Sequence, residues 1–387
     1  MKIDKAIPYG TQDITQQDID AVIAVLHSKF LTQGPLVKEF EEKFAAYVGS
    51  SYAVAVTNGT AALHLSAMAL GVNADSKVIT TPITFSASAN CIRYCGGEVV
   101  FADIDPETAL LDINNVRAIL EEHPKGTFSG IIPVDFAGYP VDMAAFRALA
   151  DEHGLWILED SCHAPGAYFT DKNNTKHFCG DGSLADLAIF SFHPVKHIAT
   201  GEGGMITTNS EAQYKKLLKY RSHGMVYQGN SDLIENHGGW YMEMQELGYN
   251  YRLSDINAAL GVSQLSRAQL GLQRRHEIAK RYDTAFAGTA IKTIPVKENV
   301  YHGLHLYIIQ VENRKGLYDY LRANNIFAQV HYVPVHLMPY YQSLGSKKGD
   351  MPVAEKYYDH CLSIPMYPTL TDDEQVYVIE KILNFYN

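Results

Sequence analysis

The chain has 387 residues, 47% apolar and 19% charged, with 32 Lys and Arg against 43 Asp and Glu for a formal charge of −11. Apolar content at that level excludes a disordered chain, and a length well above the ~150 residues of an ordinary domain predicts a large domain with a smaller companion. A global negative field repels phosphate polymers and acidic lipid, so broad nucleic-acid or membrane binding is excluded while one local cationic pocket is not.

The opening segment MKIDKAIPYGTQDITQQD has no apolar stretch of signal-peptide kind, and no apolar run reaches the ~18 residues that span a bilayer. The five cysteines (91, 95, 162, 179 and 361) are odd in number, irregularly spaced and without a C-x-x-C pair. They read as idle thiols in a reducing compartment, and the protein is expected in the cytoplasm.

From about residue 50 to 210, short apolar runs alternate with amphipathic stretches: YAVAVT (52–57), KVITTP (77–82), EVVFADI (98–104), GIIPVDF (130–136), LWILED (155–160), ADLAIFSF (185–192) and GGMITT (203–208). They are too short for helices, rich in Val and Ile, and apolar at successive positions, as strands buried on both faces of a mostly parallel sheet are. Segments such as AALHLSAMALG and NNVRAILEEH repeat their apolar residues at three and four, predicting crossover helices. In such α/β folds ligands sit at the carboxyl ends of the strands.

The texture changes near residue 250. A long helical stretch with a Gly break (253–286), the run LHLYIIQV (304–311), a helix GLYDYLRANN and an extended FAQVHYVPVH precede a closing helix capped by Thr371. The expected division is a large domain over 1–253 and a smaller α+β domain over 254–387.

Three features fall at strand ends. In TNGTAALHLSAMAL, Asn58-Gly59 resembles a hairpin turn, but Ala62, Leu63, Ser66, Ala67 and Leu70 follow with helical period. A strand that turns through small residues into a helix offers free N–H groups to a phosphate. In LWILEDSCHAPGA, Asp160 either caps the next turn or presents a carboxylate to a cationic partner such as a protonated ring nitrogen. In FSFHPVKHIATGEGGMITT, Lys196 stands between two strands beside His193 and His197. Alone it reads as a surface charge. The two histidines imitate a zinc pair, but Pro194 between them disfavours a continuous helix and no Glu follows the first, so no metal is expected. Together, a phosphate cradle, a carboxylate for a ring nitrogen and an imine-forming lysine are the fixed needs of pyridoxal phosphate (PLP).

The order of these features resembles the sugar-nucleotide aminotransferases of the DegT/DnrJ/EryC1/StrS family. The likeness covers essentially the whole chain through LTQGP (31–35), TNGTAAL (57–63), TTPITFSASAN (80–90), VDFAG (134–138), EDSCHAPGA (159–167), SFHPVKHIATGEGG (191–204), RSHGM (221–225), GYNYRLSDINAALG (248–261) and VHYVPVH (330–336). It implies a fold-type I PLP-dependent transferase, similar to aspartate aminotransferase, with a mostly parallel seven-stranded sheet. By the resemblance Lys196 carries the cofactor as an imine, Asp160 partners the pyridinium nitrogen, and Phe85 and His163 flank the ring. Backbone N–H groups of Thr60 and Ala61, with the Ser191 hydroxyl, hold the phosphate. Asn250 reaches the cofactor of a neighbouring subunit, which makes the enzyme a homodimer with a shared site. Counting back from GEGG, a lysine and not a histidine occupies the imine position, so transamination is expected rather than deoxygenation.

The likeness is greatest to members that aminate C4 of a UDP-linked 4-keto-6-deoxy-N-acetylhexosamine for pseudaminic acid. L-Glutamate is the expected donor, with ping-pong exchange between PLP and pyridoxamine phosphate (PMP). Arg221, His223, His331 and His336 are the candidates for the UDP-sugar site, since a diphosphate approaching an acidic chain needs local cations. The alternatives are another acceptor (GDP-4-keto-6-deoxymannose or a dTDP-3-keto sugar) and a non-catalytic protein on the same scaffold.

Overall fold

In the computed structural model, residues 5–227, 233–235 and 237–386 are described. All seven apolar runs form strands of one sheet: β1 (Tyr52–Val56), β2 (Lys77–Thr80), β3 (Glu98–Phe101), β4 (Gly130–Ile132), β5 (Trp156–Asp160), β6 (Leu187–Ser191) and β7 (Gly204–Thr208). Their spatial order is β1-β7-β6-β5-β4-β2-β3. Only β7 runs antiparallel, to both β1 and β6; the remaining pairs are parallel.

The unbroken apolar character of these strands has a direct cause. Val54 and Val56 enter one core with Leu187, Ile189, Leu158 and Ile132. Ala53, Ala55, Phe190 and Met205, alternating with them, enter a second core on the opposite face, where Ile79, Ile131 and Ile157 join a third. Each fully buried Val or Ile side chain contributes about 1.5–3 kcal/mol, so both faces demand apolar residues. At Gly130 a β-carbon would stand 2.1 Å from the Trp156 ring, and only glycine lets β4 and β5 pair there.

The C-terminal part is built on a second sheet of strands 292–293, 307–310 and 361–364, all antiparallel. Helices Ala268–Phe286, Arg314–Ala323 and Asp372–Tyr386 close its core. Thr371 caps the last helix as expected: its hydroxyl accepts from the Glu374 amide (3.2 Å) and the Glu374 carboxylate accepts from the Thr371 amide (2.9 Å).

Two elements cross the division expected at 253/254. The strand Ile7–Pro8 pairs in parallel with Ile326–Phe327, which ties the start of the chain to the C-terminal sheet. Helix Asp255–Leu265 packs on helices Gln16–Leu26 and Pro35–Val48 of the large part. Gly261 does not break it, because the Phe40 ring fills the space where a β-carbon would fall at 2.6 Å. The break comes instead at Ser266–Arg267. Among the described residues no helix is long and apolar enough to cross a membrane.

Candidate active site

The carboxyl ends of β1, β5 and β6 open on a cavity of about 670 Å³, closed on its other side by residues 329–333 and by His305 of the C-terminal part and by Tyr9. On one wall β1 turns into helix Gly59–Ala69. The Asn58 side chain caps that helix by accepting from the Ala61 amide at 2.8 Å. Ala61, expected at the phosphate, lies outside the cavity with its N–H on that side chain. The amides of Gly59 and Thr60 line the cavity and meet no acceptor among the described residues. Gly59 approaches Ser191 so closely that a β-carbon would sit 3.0 Å from the serine Cβ, bringing the Ser191 hydroxyl beside the free amides.

On the second wall, at the end of β5, the Asp160 carboxylate is 5% exposed. One oxygen accepts from the Ser88 hydroxyl at 2.6 Å, the other from the Cys162 amide at 3.1 Å. Both bonds orient the carboxylate at the cavity. His163 is buried; its Nδ1 accepts from the Ala137 amide (3.2 Å) and its Nε2 lies 3.3 Å from the Tyr332 hydroxyl. Burial, and then the Lys196 charge, push its pKa well below the ordinary range, so the ring is neutral. Phe85, 62% exposed, stands at the mouth of the cavity with its ring 6.5 Å from that of Tyr332.

Lys196 follows β6 in a turn closed by its own amide on the His193 carbonyl at 2.8 Å. Burial lowers its pKa to about 8, against the opposing pull of Cys162 and Asp160. The neighbouring histidines do not pair: His193 is exposed, whereas His197 donates to the Gly303 carbonyl at 2.6 Å.

Of the four acceptor candidates, only His331 lines the cavity, held by Ser363 Oγ at 2.8 Å from its Nδ1. His336 is fully buried outside the cavity, 3.0 Å from the Glu355 carboxylate. Arg221 also lies outside it, its Nη1 donating to Glu41 and to the Ala55 carbonyl (2.8 Å) and bracing β1 against helix Pro35–Val48. His223 is exposed outside the cavity at φ 62°, and Asn250 is exposed and bridged to Ser222, away from this chain's own cavity. Tyr9, Gln329, Tyr332 and His305 line the cavity without having been singled out in the sequence. Tyr332 lay within a quoted motif; the other three carry no local signal.

Behind Asp160, a carboxyl pair is enclosed. Asp135 and Glu159 lie with Cys179 within 4.8 Å of one another, all buried. Burial pushes Asp135 up to about 6 and raises Glu159 well above the ordinary carboxyl range, with the Asp135 charge adding to the effect on Glu159. The folded chain therefore holds a proton here that the unfolded chain, with ordinary carboxyls, releases above about pH 4. Stability contributed by that proton is complete below the ordinary carboxyl range and is lost as the pH rises through the raised values, about 6 for Asp135 and well above the ordinary range for Glu159. Glu159→Gln keeps an oxygen for the Gly180 amide and removes one ionisation. We expect it to flatten this loss, so that its stability relative to wild type rises from pH 5 to pH 8, read from urea midpoints. An unchanged pH dependence would show that the pair carries no such proton.

The sequence profile of the DegT/DnrJ/EryC1/StrS aminotransferase family matches residues 12–383. The chain is 40% identical over 97% of its length to the spore coat polysaccharide biosynthesis protein SpsC of Bacillus subtilis, of which it covers 96%. It is 35% identical to the UDP-4-amino-4,6-dideoxy-N-acetyl-beta-L-altrosamine transaminase of Campylobacter jejuni, over 98% of this chain and 97% of that protein. Among solved structures, Helicobacter pylori PseC, an aminotransferase involved in the biosynthesis of pseudoaminic acid, superposes with a TM-score of 0.87 at 32% identity, covering 98% of this chain and 99% of PseC. The PLP form of Spr1654 from Streptococcus pneumoniae gives a TM-score of 0.87 at 30% identity over 97% of both chains.

The cavity fits PLP on its own chemistry. Two acceptor-free amides at a helix N-terminus beside a serine hydroxyl suit a phosphate dianion. An oriented carboxylate and a partly neutral lysine amine stand in the same cavity.

Proposed function

This chain belongs to the DegT/DnrJ/EryC1/StrS aminotransferase family, and from that premise we propose that it transfers an amino group from L-glutamate to C4 of a UDP-linked 4-keto-6-deoxy-N-acetylhexosamine. It is a PLP-dependent sugar aminotransferase of fold type I. The observation that carries the proposal is the meeting of Lys196, Asp160 and the Gly59–Thr60 turn around one cavity, in a chain similar along its length to an altrosamine transaminase.

PLP, when bound, supplies an electron sink for the carbon that loses its proton. The protein's own groups do the rest. Lys196, with a pKa near 8, is both nucleophile and base: at neutral pH a useful fraction of its amine is unprotonated. Asp160 holds negative charge where the ring nitrogen sits, fixed by Ser88 and the Cys162 amide. The Gly59 and Thr60 amides and Ser191, which line the cavity, would anchor the phosphate, and Phe85 and neutral His163 would flank the ring. His331 is retained as the acceptor-site residue.

Asn250 reaches the cofactor phosphate of a second subunit in this reading. Its outward exposure supports that role, as does a nearby apolar surface. Phe30 and Leu31, 52% and 49% exposed, flank a loop whose Thr32 bridges to Ser254. The absence of disulfides among five cysteines supports a reducing, cytoplasmic setting.

The test is the reverse half-reaction: enzyme in the PLP form is mixed with a panel of amino-sugar nucleotides, and appearance of PMP is followed by absorbance. UDP-4-amino-4,6-dideoxy-N-acetyl sugars are expected to react fastest. A second acceptor is favoured by one finding, the higher identity to SpsC, whose name places it in spore coat polysaccharide. Reaction with only GDP- or dTDP-sugars would establish that alternative.

A further inference from the structure

Among the described residues, the Lys196 amine has one hydrogen-bonding neighbour, His305 Nε2 at 3.4 Å. The two come from different parts of the fold: Lys196 from the turn after β6, His305 from the segment leading into strand Tyr307–Gln310. His305 is 4% exposed, and its Nδ1 is enclosed without a polar partner. Its position is fixed from two sides. Arg275, 1% exposed, donates to the carbonyls of Leu304 (3.1 Å), His305 (3.3 Å) and Met366 (2.8 Å). The His163 ring lies 4.3 Å from the His305 ring.

We propose that His305 is a positioning residue for the catalytic lysine: its Nε2 accepts a hydrogen bond from Lys196 Nζ whenever that nitrogen is a free amine or ammonium, and so aims it at the reacting carbon. The inference rests on the reading of Lys196 as the base. With the ring's single proton on Nδ1, Nε2 is an acceptor. Burial, and then the Lys196 charge, hold the imidazole neutral, so of the two groups the lysine is the stronger base. When Lys196 takes a proton from the substrate carbon, the C–H bond breaks and an N–H bond forms on Nζ. The proton stays there, and His305 receives only the hydrogen bond. The other titratable groups around the amine are Asp160 and Cys162 at the end of β5, His163 after it, His197 beside the lysine, and His331 from the facing segment. None of these is within hydrogen-bond distance of Nζ among the described contacts, which singles out His305.

The full chain, freed of cofactor, takes up added PLP by condensation of the Lys196 amine with the aldehyde and loss of one water. The rate of uptake against pH therefore reads the fraction of neutral amine, with no amino donor or sugar present. His305→Leu removes the acceptor for the ammonium, so the midpoint is expected about one pH unit lower. Single-turnover conversion with L-glutamate is expected to slow about tenfold to a hundredfold with the donor Kd unchanged. His305→Gln, whose side-chain carbonyl accepts the same bond, restores both. If leucine prevents folding, His305→Asn, too short to reach Nζ, takes its place in the comparison. An unshifted midpoint, or a Gln variant that behaves like Leu, overturns the proposal. An inert panel of amino sugars would instead overturn only the substrate reading.

Discussion

Replacing Lys196 by alanine is expected to leave a folded chain that still binds PLP but turns over at least about 10⁴-fold more slowly, because one group serves as both nucleophile and base. Folding survives because the side chain braces little: among the described residues its amine hydrogen-bonds to His305 alone, and the local turn is held by backbone, the Lys196 amide on the His193 carbonyl. Its removal also relieves the burial that lowers the lysine pKa to about 8. On the proposed reading the phosphate is anchored by Gly59, Thr60 and Ser191, which line the cavity and which the substitution leaves alone. The variant should therefore retain cofactor through dialysis less firmly than wild type, yet show the absorption of free or pyridoxamine-form cofactor. A spectrum like that of wild type would reject Lys196 as the imine-forming residue.

Asp160→Asn is the second large effect. The side chain keeps its shape, and one oxygen remains for the Cys162 amide or for Ser88. What it loses is the charge that, on the proposed reading, keeps the ring nitrogen protonated, in a site only 5% exposed, where water cannot substitute for it. A fall in kcat of about 10³-fold is expected with cofactor still bound, measured by single-turnover kinetics with L-glutamate. A rate within tenfold of wild type would remove Asp160 from the role. Comparison with Lys196→Ala is informative, since the asparagine variant should keep the lysine-bound spectrum that the alanine variant lacks.

The sheet was readable in the sequence because burial on both faces leaves no polar interruption: Val54 and Ala55 point oppositely, yet both face apolar cores. Asp160 and Ser191 were legible because they end such runs and Lys196 because it stands in the turn after one, and the parallel arrangement gathers those ends at one cavity. The failures have a common cause. Arg221 looks like a free cation until Glu41, 180 residues earlier, is brought against it. His336 is silenced by Glu355 in the same manner. An isolated stretch of sequence does not display the partner that neutralises it. Conversely, Tyr9 reaches the cavity through a pairing across most of the chain and His305 through a contact with Lys196 more than a hundred residues earlier, which no local periodicity encodes. Ala61 was misjudged by one residue for a smaller reason: the Asn58 cap consumes its amide and leaves those of Gly59 and Thr60.

The pairing of Ile7 with Ile326 also orders events during synthesis. The first strand emerges from the ribosome long before its partner exists, so Tyr9, two residues further on, has no fixed place until more than four-fifths of the chain has been made. The large sheet is complete at Thr208 and can assemble as soon as that stretch emerges. The enclosing wall of Tyr9, His305 and His331 arrives afterwards. A nascent chain thus presents a phosphate cradle and a lysine before it has an enclosed cavity.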